Sequence, residues 1–68
     1  MRVAYQVKDD YVTVWLLDDD GNTKIKSQLP KDEVIYAASR IMKELNVTAE
    51  KAFDMGVYAV FLKVTWGL

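Results

Sequence analysis

The side chains that most often carry out chemistry in proteins are scarce in this sequence of 68 residues. It contains no cysteine and no histidine, so it lacks thiolate nucleophiles, the commonest metal ligand and the usual general base at neutral pH. Ser27 and Ser39 would need a lysine or a carboxylate as a base, and neither serine lies in a nucleophile-elbow pattern. We therefore predict no catalytic residue, no cofactor and no enzymatic activity.

The carboxylates are concentrated in one segment. Five aspartates and no basic residue lie between positions 9 and 20, so this segment carries −5 while the whole chain carries −1. A calcium loop with Gly21 at its sixth position would require a carboxylate at Leu16 and a glutamate at Ser27, and both are missing. We predict no metal site. Aspartates are favoured in turns, and an acidic turn can also attract a basic protein surface.

Charge and hydropathy limit the possible partners. Domains that bind nucleic acid by neutralising phosphates are normally basic, whereas this chain has a pI near 5.2. No apolar run approaches the ~20 residues that cross a bilayer, and the first residues alternate rather than form a signal peptide. We expect no nucleic-acid partner, no membrane partner and a cytoplasmic location.

Alternating apolar residues predict strands in the first half of the chain. Residues 2–8 alternate, and residues 11–17 are apolar on both faces, with Val12, Val14 and Leu16 on one side. Residues 2–17 form either two strands or one long strand with a bulge at Asp9-Asp10. Asp20-Gly21 is a hairpin signal, and a short, lysine-protected edge strand follows it over residues 23–27.

Helical spacing begins after Leu29-Pro30. A helix over residues 31–45 would bury one apolar stripe and end at Asn46; the stripe consists of Val34, Ala38, Ile41, Met42 and Leu45. Thr48 would cap a short second helix that Gly56 closes, and residues 57–66 would form a final strand. The sequence thus predicts one α+β domain over residues 1–68, ordered β-β-β-α-α-β. Its antiparallel sheet has three to four strands, with one main helix and a short second helix on one face.

Strands that are apolar on both faces need more cover than two helices on one side provide. A chain this short usually needs a disulfide, a metal or a partner chain for stability, and the first two are missing. We therefore predict a homodimer. We assign four apolar residues of these strands to its core or its dimer interface, namely Trp15, Leu17, Tyr58 and Phe61.

Two short segments carry a resemblance to a known family. The first contains Val12-Thr13, Leu16 and Asp18-Asp19-Asp20-Gly21, and the second is Glu33-Val34-Ile35-Tyr36 at a helix start. Together they resemble the small uracil-DNA glycosylase inhibitors of short-tailed Bacillus-type phages. The resemblance covers about a third of the chain. It implies the order strand, acidic turn, strand, helix, strand over residues 11–66.

The resemblance also implies a function. Members of this family are homodimers that mimic DNA and block the DNA-binding face of a bacterial uracil-DNA glycosylase. A pocket at their dimer interface holds the hydrophobic residue that the enzyme pushes into the duplex when uracil is flipped out. This chain would accordingly act in the cytoplasm of an infected bacterial cell.

Site residues follow from the same resemblance. Glu33 and Tyr36 match the contacts at the family's helix start, and Asp32 stands where the family carries an aromatic residue. Tyr5, Trp15 and Tyr58 are the candidates to replace that aromatic. We add Arg40, on the same charged face of the helix, to the partner-binding residues, and the three aspartates of the turn, Asp18, Asp19 and Asp20, form an acidic rim.

Two other functions remain open. The chain is alternatively a small phage or host accessory domain that binds another protein, such as a polymerase, a nuclease or a defence factor. Less favoured is a single-stranded DNA-binding module, in which aromatic rings stack on bases. Its candidate rings are Tyr5, Tyr11, Trp15 and Trp66.

Overall fold

A computed structural model describes residues 1–67. The elements in chain order are β1 (Arg2–Val7), β2 (Tyr11–Leu17), β3 (Thr23–Pro30), α1 (Lys31–Leu45) and α2 (Ala49–Trp66). The strands form one antiparallel sheet in the order β1-β2-β3. The predicted α+β class and the predicted antiparallel sheet are confirmed, and of the three to four strands expected the sheet has three.

Tight turns join the strands. The Lys8 amide donates to the carbonyl oxygen of Tyr11 at 2.8 Å, so β1 and β2 form a hairpin and the single bulged strand considered for residues 2–17 is wrong. In the second turn, one carboxylate oxygen of Asp18 accepts from the amides of Asp20 and Asn22, each at 2.9 Å. Gly21 adopts a φ of 86° there, which a residue with a Cβ rarely adopts.

The sheet has one covered and one open face. Val12 pairs with Leu29, and Val14 lies between Tyr5 and Ser27. Val12, Val14 and Leu29 are fully buried beneath the helices. The alternate residues of β2, including Trp15, point to the open face, because successive side chains of a strand point to opposite sides.

Helix α1 follows β3 directly. Pro30 is both the last residue of β3 and the N-cap of α1, and the Lys31 amide donates to the Asp10 carbonyl oxygen at 3.1 Å. Asn46 ends the helix in the left-handed conformation, with φ 54°. The predicted helix and its stop are confirmed. Of the predicted stripe, Val34 is fully buried, whereas Met42 and Leu45 are exposed beyond the core.

Helix α2 replaces the predicted final strand. The Thr48 hydroxyl accepts from the Lys51 amide at 3.2 Å, which confirms the predicted cap. The helix then runs through Gly56 to Trp66. The short second helix, its end at Gly56 and the strand over residues 57–66 are therefore wrong. The buried residues recur at helical spacing; they are Ala52, Gly56, Val57, Val60 and Phe61.

Gly56 lies at a close approach of the two helices. A Cβ at this position would lie 3.1 Å from the backbone nitrogen of Ala38 and 3.1 Å from the carbonyl oxygen of Val34. Both are backbone atoms, which cannot move aside as a flexible side chain can. The glycine therefore permits helix packing rather than ending a helix, and this contact fixes α2 against α1.

The core lies between the sheet and the helices. Its buried members are Val12, Val14, Leu29, Val34, Val57, Val60 and Phe61. Phe61 thus belongs to the core as predicted, but Trp15 and Leu17 are only half-buried, and 48% of Tyr58 is exposed on α2. These three residues are not part of the core within one chain. Neither described helix is long and apolar enough to cross a membrane.

Candidate functional site

A groove between α1 and α2 collects three of the predicted site residues. Its volume is about 340 Å³. Asp32, Glu33 and Tyr36 line it from α1 together with Ala37, and α2 contributes Ala59, Val60 and Lys63. We refer to these seven residues as the helix groove.

The first turns of α1 place the polar side of the groove. Glu33 and Tyr36 are three residues apart, so their side chains lie on the same side of the helix. Val34, between them in sequence, is fully buried and holds the opposite side of this turn against the sheet. The Tyr36 side chain is consequently presented to solvent, and 66% of the residue is exposed.

The second wall of the groove was missed by sequence analysis. Ala59 and Lys63 are four residues apart and share a face of α2. A strand over residues 57–66 would have placed them differently relative to α1. The only signal in the sequence was their spacing of four residues. That spacing indicates a shared face only if residues 57–66 are helical.

Charge in the helix groove is uneven. Two carboxylates, on Asp32 and Glu33, stand at the N-terminal end of α1, where the helix dipole favours negative charge. Lys63 is the single basic residue among the seven, and Ala37, Ala59 and Val60 provide apolar surface. The groove holds neither a serine nor a cysteine. Its chemistry suits binding an apolar side chain of a partner whose surrounding surface is basic.

Arg40 lies next to this site but not in it. Its guanidinium donates to the Glu44 carboxylate at 3.2 Å, one helical turn further along α1. This hydrogen bond and the charge of Glu44 raise the pKa of Arg40, with a smaller contribution from Tyr36. Arg40 is thus close to Tyr36, but its charge is directed towards Glu44.

The acidic turn lines a different cavity. Asp18, Asp19 and Asp20 border a space of about 390 Å³ together with Met1, Arg2 and Gly21. Asp18 uses its carboxylate to hold the turn, and Lys24 lies 3.9 Å from it. The Asp19 side chain is 94% exposed and accepts from the Met1 amine at 2.9 Å. Any rim role of these residues therefore concerns this end of the sheet rather than the helix groove.

The aromatic candidates are dispersed over the molecule. Tyr5 points to the helix side and donates to the Asp54 carboxylate, whereas the Trp15 ring lies on the open face with the Lys26 ammonium 5.8 Å from its centroid. Trp66 packs edge-on against Phe61 at 5.7 Å. The helix groove has a single aromatic residue, Tyr36. None of the three candidates to replace the family's pocket aromatic, Tyr5, Trp15 and Tyr58, lines the helix groove. Of the four candidate stacking rings, Tyr11 and Trp15 share the open face of the sheet, whereas Tyr5 lies on the helix side and Trp66 on α2.

Comparison of the chain with protein-family models, with curated proteins and with solved structures found no match.

Proposed function

We propose that this protein inhibits a bacterial uracil-DNA glycosylase by occupying the enzyme's DNA-binding face. One observation supports this function more than any other. Glu33 and Tyr36, which the resemblance to the phage inhibitors singles out, line the same groove, together with Asp32.

The physical basis of the inhibition is competition with DNA. A glycosylase binds phosphates with a basic surface and inserts a hydrophobic residue into the duplex to expel the base. The carboxylates of Asp32 and Glu33 are attracted to that basic surface, while the apolar surface of Ala59 and Val60 receives the inserted residue. A hydrophobic side chain held in the helix groove is unable to enter DNA.

This arrangement differs from that of the family in three respects. The element after α1 is the helix α2, where the resemblance implies a strand, Asp32 stands where the family carries an aromatic residue, and the pocket lies elsewhere. The family's pocket lies at a dimer interface, whereas the helix groove is formed between two helices of a single chain. Capture of the hydrophobic residue would therefore require no second copy. The predicted homodimer is a separate hypothesis with its own test.

A uracil-excision assay tests the proposed function directly. Purified bacterial uracil-DNA glycosylase is incubated with a uracil-containing duplex and increasing amounts of this protein. We expect excision to stop once the protein is in molar excess. Unchanged excision under these conditions would refute the proposal.

Two pairs of variants test the site. Tyr36→Ala and Glu33→Gln should each weaken inhibition by about 2 kcal/mol, because a few central residues usually carry most of the affinity of an interface. The matched controls are Tyr11→Ala, an exposed tyrosine on β2, and Glu50→Gln, an exposed glutamate on α2, both outside the groove. Circular dichroism checks that all four variants remain folded.

The control variants also make the location of the site falsifiable. If inhibition survives Tyr36→Ala and Glu33→Gln but is lost in a control variant, the protein inhibits the enzyme through another surface and the helix groove is not its binding site.

A further inference from the structure

The open face of the sheet presents two aromatic rings from one strand. Tyr11 and Trp15 are four residues apart in β2, so their side chains point to the same side at a spacing of about 13 Å. Tyr11 is 37% exposed and Trp15 is half-buried. The β1 neighbour of Trp15 is Ala4, whose methyl group is too small to cover the ring. Aromatic rings on the uncovered face of a sheet are surfaces on which the bases of single-stranded nucleic acids stack.

A row of polar side chains separates the two rings. Thr13 lies midway between Tyr11 and Trp15 in β2, and it pairs with Gln6 of β1 and with Gln28 of β3. Both glutamines are exposed. A carboxamide donates and accepts hydrogen bonds, as the edges of bases do. Bases stacked on the two rings would therefore have hydrogen-bonding partners between them.

The strands carry basic residues and no acidic residue. Their charged residues are Arg2, Lys24 and Lys26, so all the carboxylate side chains of the chain lie in the turns and helices. Arg2 pairs with Leu17 and Lys26 pairs with Trp15, which places both on the open face. The net charge of −1, from which we expected no nucleic-acid partner, is thus unevenly distributed. The open face is the basic part of the molecule.

Lys26 is placed to neutralise a phosphate beside a stacked base. Its ammonium lies 5.8 Å from the centroid of the Trp15 ring. This distance is close to the limit of about 6 Å for a cation–π contact, so the ammonium is held only loosely over the ring. A base that stacks on Trp15 would bring a phosphate within reach of Lys26. Positive charge next to a stacking ring is the combination with which proteins bind single strands.

Acidic turns at both ends limit the length of this surface. Asp18 holds its own turn and lies 3.9 Å from Lys24, and Asp19 accepts from the N-terminal amine. In the first turn, Lys8 precedes Asp9-Asp10. These carboxylates would repel a long row of phosphates. They confine binding to a few nucleotides across the middle of the open face.

We propose that the open face of the sheet binds a short stretch of single-stranded DNA or RNA. Bases stack on Tyr11 and Trp15, and Arg2 and Lys26 neutralise phosphates. A second copy on this face would bring like charges together, and an acidic peptide would leave the aromatic rings without flat partners. The inference is independent of the proposed function, because the helix groove lies on the other side of the sheet.

The test measures the anisotropy of fluorescent oligothymidine and oligouridine, each about ten nucleotides long, as the full-length protein is added at low salt. The two probes separate DNA from RNA as the ligand. One control is an abasic chain of the same length, which keeps the phosphates and lacks the bases. The other is a duplex, in which the bases are stacked on each other. We expect both controls to bind at least about fivefold more weakly than the better of the two probes.

Salt dependence tests the two phosphate contacts. For two neutralised phosphates of a single strand, the logarithm of the affinity should fall with the logarithm of the salt concentration with a slope of about −1.4. Arg2→Gln combined with Lys26→Gln should remove most of this slope. Lys51→Gln, on the exposed surface of α2, should leave it unchanged.

The stacking rings are tested separately. Tyr11→Ala should weaken binding at least about fivefold, whereas Tyr36→Ala, an exposed tyrosine on α1, should not change it. Trp15 is followed without substitution, by its fluorescence in a Trp66→Phe protein. We expect this fluorescence to be quenched when the oligonucleotide is bound. Circular dichroism checks that the variants remain folded.

Three results would overturn the proposal. One is no binding of either probe at low salt, and another is equal binding of the abasic chain, because phosphate attraction alone would then explain it. The third is displacement of the probe by a polyglutamate peptide as effectively as by unlabelled oligonucleotide, because an acidic protein segment would then be the ligand. Tyr11→Ala and Tyr36→Ala report on opposite faces, so failure of this proposal leaves the result of the uracil-excision assay unaffected.

Discussion

At the scale of single residues, the hydrogen bond from Tyr5 to Asp54 links the edge strand β1 to α2. This bond, followed by burial and by the charges of Asp54 and Glu50, raises the pKa of Tyr5 from 10.0 to about 12. The folded protein thus holds the phenolic proton more tightly than the unfolded chain. The resulting stabilisation is fully present below pH ~10 and is lost as the pH rises towards ~12.

We therefore expect Tyr5→Phe to lower the free energy of unfolding by about 1 kcal/mol at pH 7, a value reduced for screening because Tyr5 is partly exposed. The difference from the unsubstituted protein should shrink between pH 10 and pH 12. Urea unfolding at several pH values measures it, with Tyr58→Phe as the control. A difference that stays constant over this range would contradict the assignment.

The residues at the start of α1 could be assigned to the candidate site from the sequence alone, whereas those of α2 could not. Glu33 and Tyr36 could be placed on one face because the α1 pattern is unambiguous, with acidic residues in the first turn and Asn46 at the end. Lys63 could not be placed in the groove, because its position depends on the conformation of the whole of residues 57–66.

At the scale of elements, α2 shows why short apolar runs are ambiguous. Val57, Val60 and Val64 are β-branched and favour strands in isolation. The side of α2 away from the core is also rich in apolar residues, including Tyr58, Leu62 and Trp66, all exposed by 40% or more. A helix that is apolar on most sides has no clear polar stripe, so it gives the same pattern as a strand apolar on both faces. The helical conformation is instead favoured by tertiary packing, which includes the close contact of Gly56 with α1.

Gly56 gives a prediction at this scale. Gly56→Ala improves the intrinsic helix propensity by about 1 kcal/mol, but the new Cβ would meet the α1 backbone at 3.1 Å. We expect overpacking to dominate and to lower the free energy of unfolding by about 1–3 kcal/mol. Thermal and urea unfolding measure the change.

The control for this prediction is Ala59→Gly, which alters helix propensity in α2 at an exposed position. It should cost about 1 kcal/mol without disturbing the packing of the helices. A Gly56→Ala protein as stable as the unsubstituted one would show that the two helices can separate freely at this contact.

At the scale of the whole molecule, the elements predicted from the sequence are correct up to Leu45, whereas those predicted after Thr48 are wrong. The sheet order follows from two turns with clear signals, at Asp9-Asp10 and at Asp20-Gly21. The open face of the sheet agrees with the predicted placement of both helices on one face. Trp15, which was assigned to the core or the dimer interface, lies half-buried on this open face beside Lys26, because both helices cover the other face.

The predicted homodimer was based on strands that are apolar on both faces. Because residues 57–66 are helical, we expect a second copy to cover the exposed apolar side of α2 instead, centred on Leu62. We expect sedimentation equilibrium at micromolar concentration to give about twice the chain mass of 7.8 kDa. Leu62→Glu should give the monomer mass, and Leu45→Glu, at a more exposed leucine on α1, should leave the dimer intact. A monomer at all concentrations would exclude self-association.

The order of the strands in the sheet has a consequence for folding kinetics. Each strand pairs with its neighbour in sequence, and β3 passes into α1 at Pro30 without a loop. Most contacts up to Leu45 are therefore local, and chains with local contacts close only short loops before they gain native interactions. Long-range order is supplied by α2, whose Val57, Val60 and Phe61 complete the core. We therefore expect the docking of α2, which brings these residues to the sheet, to be the step that limits the folding rate.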